Sequence, residues 1–288
     1  MEYLLHILVL VAIYATLAIS LNLVVGYTGL VSVTQAAFYG IGAYTAAILM
    51  QRLGLNFFPA AALAMAGGAL AAALVGSVLS RFRDDYYTLG SIGFNVIVVA
   101  VLMNWQSLTR GPLGIAGVAR PSLFGFSLAS LPAFLLLSLG VLVVVYLVAQ
   151  FTVRSSFGRA LQAIREDEVA LQVFGYRASS FKLAVFVMAA AMAAAAGALY
   201  ASYLGFIDPM TFRLDESVLV LAMIILGGLA SLRGSLVGAA VLVVLPEVLR
   251  FLGLSPDVAA QARLLIYGLL LVVLMRVRPQ GLLGEYRL

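Results

Sequence analysis

No cysteine occurs anywhere in this sequence, and there is a single histidine, His6. Disulfides, thiolate metal sites and thiol nucleophiles are therefore excluded, and a lone imidazole cannot build a cluster of metal ligands. Charge is scarce too: Asp, Glu, Lys and Arg make up 10% of the 288 residues, against about 25% in an ordinary soluble domain. What remains is apolar, 64% of the chain. A soluble fold of this length could not hide so much apolar surface, so the solvent this composition suits is lipid. The net charge of +5 would suggest nucleic acid in a soluble protein. Here it reads as basic residues holding cytoplasmic loops in place. Glu2, and no Lys or Arg, precedes the first apolar run. That run therefore reads as a first crossing rather than a cleavable signal peptide.

Charges divide the chain into apolar stretches. Residues 3–51 carry no Asp, Glu, Lys or Arg, a length of about 73 Å as helix, enough to cross a bilayer core twice. The break falls at Gly26-Tyr27-Thr28-Gly29. Charge-free runs at 53–80, 86–109, 121–153 and 183–207 each suit one crossing. Shorter runs at 217–232, 234–246 and 264–275 imply snorkelling ends or broken helices, with Gly227-Gly228 marking one break. The expected architecture is an all-α polytopic helical bundle in one domain, 1–288, with eight to ten crossings and glycine-broken segments. Nine are placed at about 3–25, 36–50, 57–80, 92–109, 131–152, 182–204, 216–230, 235–252 and 260–277. An external N-terminus and a cytoplasmic C-terminus put eleven of the 17 Lys and Arg inside and six outside, the bias a bacterial-type membrane protein shows. Gly29-Leu-Val-Ser32-Val and Gly228-Leu-Ala-Ser231-Leu echo one another across the two breaks, and such repeats are a transporter signature.

Three features could carry function. No Asp, Glu or Lys is expected near the middle of a crossing, and the nearest candidate is Glu247 with Arg250, spaced to pair at a helix end. Energy for active transport would then come from outside the chain. The segment 153–182 holds five basic and three acidic residues. Within it Phe157, Ala160, Leu161 and Ile164 share one helical face, Ser156 can cap the start, and Asp167 can cap a second short helix that Gly175 stops. Such a segment can dock a soluble partner or simply set topology. Around the first break lie Asn22, Gly26, Tyr27, Thr28, Gly29, Ser32 and Gln35, with Gly227, Gly228 and Ser231 at the second. Broken backbone at membrane depth is tolerated along a water-filled cavity or inside protein, so these residues either line a solute's path or pack helices.

The stretch SLNLVVGYTGLVSVTQAAFYGIGAYTAAIL (20–49) resembles the signature of permease subunits of branched-chain amino-acid ABC importers. GRALQAIREDEVALQVFGY (158–176), FKLAVFVMAAAMAAAAGALYA and LAMIILGGLASLRGSLVGA resemble the same family, as do GPLGI (111–115) and the tail RPQGLLG (278–284). The resemblance runs through nearly the whole chain in order. It implies a multi-pass inner-membrane transport subunit and not an enzyme. The expected partners are a second, related permease, two cytoplasmic ATPase subunits and a periplasmic solute-binding protein. ATP and its Mg²⁺ are expected on the ATPase subunits and no cofactor on this chain, which lacks a G-x-x-x-x-G-K-[ST] loop. Phe157, Gly158, Arg159, Leu161, Ile164 and Arg165, with Glu166, Asp167 and Glu168, fall in the region that resembles the family's ATPase-coupling segment, here about 153–181. Three departures from the family pattern stand out: around 81–97 the chain reads RFRDDYYTLG where R-G-D-Y-x-A is usual, Asn95 and Val96 stand where an acidic residue is usual after Gly-Phe, and Leu113 stands where Asn is. Substrate therefore stays open among branched-chain amino acids, urea, short amides and carboxylates. An ion-coupled transporter, a passive channel and a scaffold are the rival classes.

Overall fold

The structure, a computed structural model, describes residues 2–284 except 83, 124–125, 129, 251–264, 271, 274–275 and 279. Its elements are α1 (Glu2–Val25), α2 (Gln35–Arg52), α3 (Phe57–Leu79), α4 (Asp84–Asn104), α5 (Gln106–Thr109), α6 (Leu131–Arg154), α7 (Ser156–Glu166), α8 (Glu168–Val173), α9 (Ala178–Leu204), α10 (Leu214–Gly227) and α11 (Leu232–Arg250). Four two-residue strands, β1 (Ile115–Ala116), β2 (Ser122–Leu123), β3 (Phe126–Ser127) and β4 (Phe206–Ile207), and two 3₁₀ turns, Gly111–Leu113 and Pro209–Phe212, lie between them. The bundle is all-α, as the apolar runs require. Glu2–Val25, Phe57–Leu79, Tyr86–Asn104, Leu131–Arg154 and Ala178–Leu204 are long and apolar enough to cross a membrane.

Most boundaries fall within a few residues of the charge-free runs. Helix α4 is the exception: it starts at Asp84 rather than near 92, because acidic residues are tolerated, even favoured, in a first helical turn. The expected ninth crossing, 260–277, lies partly outside the described residues; those described within it, 265–270, 272–273 and 276–277, are helical.

The alanine-rich α9 lies against α1, α2 and α3. Contact is backbone-close because glycines remove the intervening side chains. A Cβ on Gly197 would meet the Tyr39 carbonyl oxygen at 2.1 Å, and one on Gly42 the Ala194 carbonyl oxygen at 2.2 Å. Such small-residue faces let dispersion hold helices together where lipid offers no hydrophobic driving force. Faces of α3, α4 and α6 expose Leu70, Ile97, Leu136 and Phe151, apolar surface suited to lipid or another membrane chain.

The chain turns inward after α9. Gly205 ends α9 in the left-handed region, and β4 pairs antiparallel with β1, Ile207 opposite Ile115. Gly114 makes this possible, since a Cβ there would meet the Ile207 carbonyl at 2.2 Å. Phe212 then packs on Gly40, where a Cβ would approach its ring at 2.9 Å. The descent delivers the chain to the start of α10, well inside the bundle.

Gly197→Val should destabilise the protein by about 1–3 kcal/mol, the range for overpacking a filled interior. Gly140 has open space around its Cβ position, so Gly140→Ala should leave stability unchanged. Thermal unfolding of the two purified variants, followed by size-exclusion profile, checks the contrast.

Candidate functional site

The two glycine breaks, more than 200 residues apart in sequence, meet in space. Asn22, fully buried in the last turns of α1, donates through Nδ2 to the Ser231 carbonyl at 3.0 Å and to Ser235 Oγ at 2.6 Å. Its Oδ1 accepts from the Ala230 amide at 3.0 Å. Gly26 is required beneath this clamp, since a Cβ there would overlap Asn22 Oδ1 and reach the Ala230 nitrogen at 2.5 Å. Ala230 itself sits in the left-handed region at φ 57°, as do Gly29 at 76° and Gly228 at 118°. The echoed glycines thus both hold positive φ values that a side chain disfavours.

Nearly every group freed by the breaks is used within the chain. The Thr28 hydroxyl donates to the Leu23 carbonyl at 3.0 Å, and the amides of Gly29 and Leu30 donate to Val25 and Val24. At the second break, the amides of Leu282 and Leu283 donate to the carbonyls of Leu226 and Gly227 at 2.9 and 2.8 Å. The RPQGLLG motif therefore closes the end of α10. Ser32 pairs with Thr34, and the Gln35 Nε2 donates to Ser20, two residues before Asn22 on α1. Tyr27 and Ser231 border a polar cavity of about 350 Å³ with Gln150, Arg154 and Arg233. Thr28 and Gly29 border another of about 410 Å³ with Thr88, Arg165, Glu166 and Lys182.

The segment after α6 lies at this same end of the bundle. Ser155, not Ser156, caps α7, its Oγ accepting from the Gly158 amide at 3.3 Å. The correction is a one-residue shift, since Ser156 already has helical geometry. Gly158 has no room for a side chain, with the Val153 carbonyl 2.2 Å from its Cβ position. Leu161 and Ile164 are buried on the bundle, while Phe157 stacks on Phe181 with centroids 5.5 Å apart. Asp167 Oδ1 caps α8, accepting from Val169 and Ala170, both at 2.9 Å. Glu168 pairs at 2.6 Å with Lys182, whose residue is 2% exposed. Arg165 donates through Nη1 to the Gly26 carbonyl, so α7 grips the first break directly. Arg159, Glu166 and Asp167 are at least partly open to solvent, and beyond them α8 and the turn that follows it expose Val169, Val173 and Phe174, with Tyr176 half-exposed beside Phe181.

Glu216, in the first turn of α10, stands beside the middle of α1, where the Tyr14 hydroxyl donates to its Oε1 at 2.5 Å. Charge-run reasoning put Glu216 at a helix end, which is correct, but that end begins inside the bundle rather than at its surface. Glu247 meets the Tyr3 hydroxyl, and the side chain of Arg250 lies outside the described residues. Among the described residues no group of three His, Cys, Asp or Glu could hold a metal.

A family model described as branched-chain amino acid transport system / permease component matches residues 3–275. The high-affinity branched-chain amino acid transport system permease protein LivM of Salmonella typhimurium is 37% identical, over 96% of this chain and 68% of that protein. The permease protein LivH of Escherichia coli K12 is 28% identical, over 94% and 91% respectively. A solved structure, PsaBC from Streptococcus pneumoniae in complex with Fab, aligns with 95% of this chain at a TM-score of 0.49 and 16% identity.

Asn22→Ala leaves the buried Ala230 amide without its acceptor, and should cost about 1–3 kcal/mol. Ala230→Gly removes the left-handed strain and should recover part of that loss in the double variant. Melting temperatures of the four proteins check both; an unchanged Asn22→Ala value would mean the clamp holds nothing.

Proposed function

Because the chain belongs to the family of branched-chain amino acid transport permeases, we propose that it forms, with a second permease, the membrane path of an ATP-driven importer in a bacterial inner membrane. The proposed cargo is a branched-chain amino acid or a related small polar solute. Two ATPase subunits would dock on the α7–α8 end, which is then cytoplasmic, and a solute-binding protein would deliver cargo at the other end. ATP and Mg²⁺ would sit on the ATPase subunits.

The observation that carries this reading is the bare apolar tip of α8. Val173 and Phe174 are 82% and 80% exposed in a charged segment outside the long apolar helices. Contiguous apolar surface in such a place marks a protein contact. The capped helix α7 behind it touches the first break through Arg165. A push on α8 can therefore reach the Asn22 clamp without passing through a flexible loop. In this reading the two breaks are the inner closure of the path, shut here because their polar groups bond one another. Tyr27, Thr28, Gly29 and Ser231 face the cavities on the cytoplasmic side, and Ser32, Gln35, Gly227 and Gly228 hold the closure. Asn95, buried with its Nδ2 unpartnered, and Leu113, exposed at the far end, are the places where cargo preference would depart from the relatives.

Glu216 favours one rival, an ion-coupled transporter, since such proteins use acidic groups at mid-depth. Uptake that requires ATP and survives collapse of the ion gradients separates the two.

The docking reading is tested on α8. Val173→Asp with Phe174→Asp should abolish retention of the ATPase subunits on the purified permease pair and bring ATP-driven uptake to background, with the melting temperature unchanged. Reversing Glu166, Asp167 and Glu168 to Lys is the weaker test, because Asp167 caps α8 and Glu168 pairs with Lys182. Normal ATPase retention by the Val173, Phe174 variant would refute the contact.

A further inference from the structure

Helix α10 is a half-helix. Its 14 residues begin beside Tyr14, the thirteenth of the 24 residues of α1, and end at Gly227 beside the Asn22 clamp at the last turn of α1. With α1 crossing the bilayer, the start of α10 lies near the midplane. Arg213 and Asp215, at that start, are both exposed on the protomer, flanked by exposed Met210 and Val218. A charge facing lipid at that depth costs at least about 2.5–3.5 kcal/mol. This face is therefore turned to water or protein.

Behind the charges stands a ring of tyrosines. Tyr39 and Tyr200 lie 5.2 and 6.3 Å from Phe212, centroid to centroid, and Tyr44 lies 6.0 Å from it. Phe212 is two residues before α10. The hydroxyls of Tyr39 and Tyr44 are buried and have no hydrogen-bond partner. Tyr39 lies within electrostatic reach of Glu216 and Tyr14. Buried hydroxyls without partners are rare enough to need an explanation, a missing ligand or water being the usual one. The α10 N-terminus also lacks a side-chain cap; Asp215 and Glu216 stand in its first turn and the Glu216 amide bonds the Arg213 carbonyl at 3.1 Å, so it is the amides before Glu216, beside Arg213, that are left for an anion.

We propose that the start of α10 is a midplane station for a small zwitterion. Arg213 and the uncapped amides of α10 take the carboxylate, and Glu216 with the Tyr39 hydroxyl takes the ammonium. Opposite charges two to three residues apart on one half-helix match the two ends of an α-amino acid, and neither a metal nor a bound ion is required. This inference rests on the permease reading and gives it a binding site, distinct from the breaks some 12 Å or more along α1.

The complete complex, with both permeases, ATPase subunits and binding protein, is reconstituted in vesicles, and uptake of radiolabelled leucine, isoleucine and valine is followed. Wild-type uptake decides the permease reading: none with ATP present would sink it. Given wild-type uptake, Glu216→Gln and Arg213→Gln should each lower it by about tenfold or more, as expected when one member of a buried charged contact is removed. Tyr39→Phe should lower it less. Unchanged uptake in both charge variants overturns the station. Because there is no cysteine, Asp215→Cys in the complex supplies a second measurement that does not depend on turnover. A positively charged methanethiosulfonate should label it, and millimolar leucine should slow the labelling severalfold. Inert thiols, or labelling indifferent to leucine, overturn the proposal even where uptake has fallen, since uptake alone could fall through misassembly.

Discussion

Everything at the α7 end depends on one constraint: backbone that leaves helical geometry inside a membrane must find its hydrogen bonds within the protein. Two helices break here, at Gly26–Gly29 and Gly227–Gly228, and a single amide side chain serves both. Asn22 uses its acceptor and both donor directions on Ala230, Ser231 and Ser235. Arg165 covers the Gly26 carbonyl, and the Leu282–Leu283 backbone covers the end of α10. The arrangement is shared, so neither break can reopen without leaving groups of the other unpaired.

That sharing explains what was legible in the sequence and what was not. Charge-free runs mark crossings because a charge in lipid is costly, and the bundle follows from them. Glycine pairs mark breaks because Gly29 and Gly228 need φ values that side chains resist. The amphipathic face of Leu161 and Ile164 and the Asp167 cap are local patterns, and local patterns are readable. The polar groups at the breaks suit either a path or helix packing, and that the two breaks satisfy each other emerges only from the packing of α1 against α10 and α11. Glu216 escaped for a related reason. Its depth is set by the pairing of Ile207 with Ile115 and by the fit of Phe212 to Gly40, contacts spanning 92 and 172 residues of sequence. A rule that places charges at membrane surfaces cannot anticipate a helix that starts half-way in. Lys182 was likewise counted as a loop charge, although it is buried and held by Glu168.

The division of labour between the ends is chemical. At the α7 end, polar groups are matched in pairs and buried, which favours a definite closed arrangement. At mid-depth, Tyr39 and Tyr44 keep hydroxyls unmatched and Arg213 and Asp215 remain uncovered. The first arrangement resists change, and the second invites an occupant.

The glycine contacts of α9 have a mechanical corollary. With the Tyr39 carbonyl seated against Gly197 and Ala194 against Gly42, α2 and α9 meet backbone to backbone at these two points, flanked by the ring pairs Phe38–Phe186 and Tyr39–Tyr200. The two helices form a strut about 40 Å long. One end is pinned to α8 through Lys182, and the other to Gly117 and Val118 through the Gly205 carbonyl. Tyr39 and Tyr200 ride on that strut. The Glu168 contact and the ring around Phe212 thus belong to one helix pair, so a tilt of that pair would reach both.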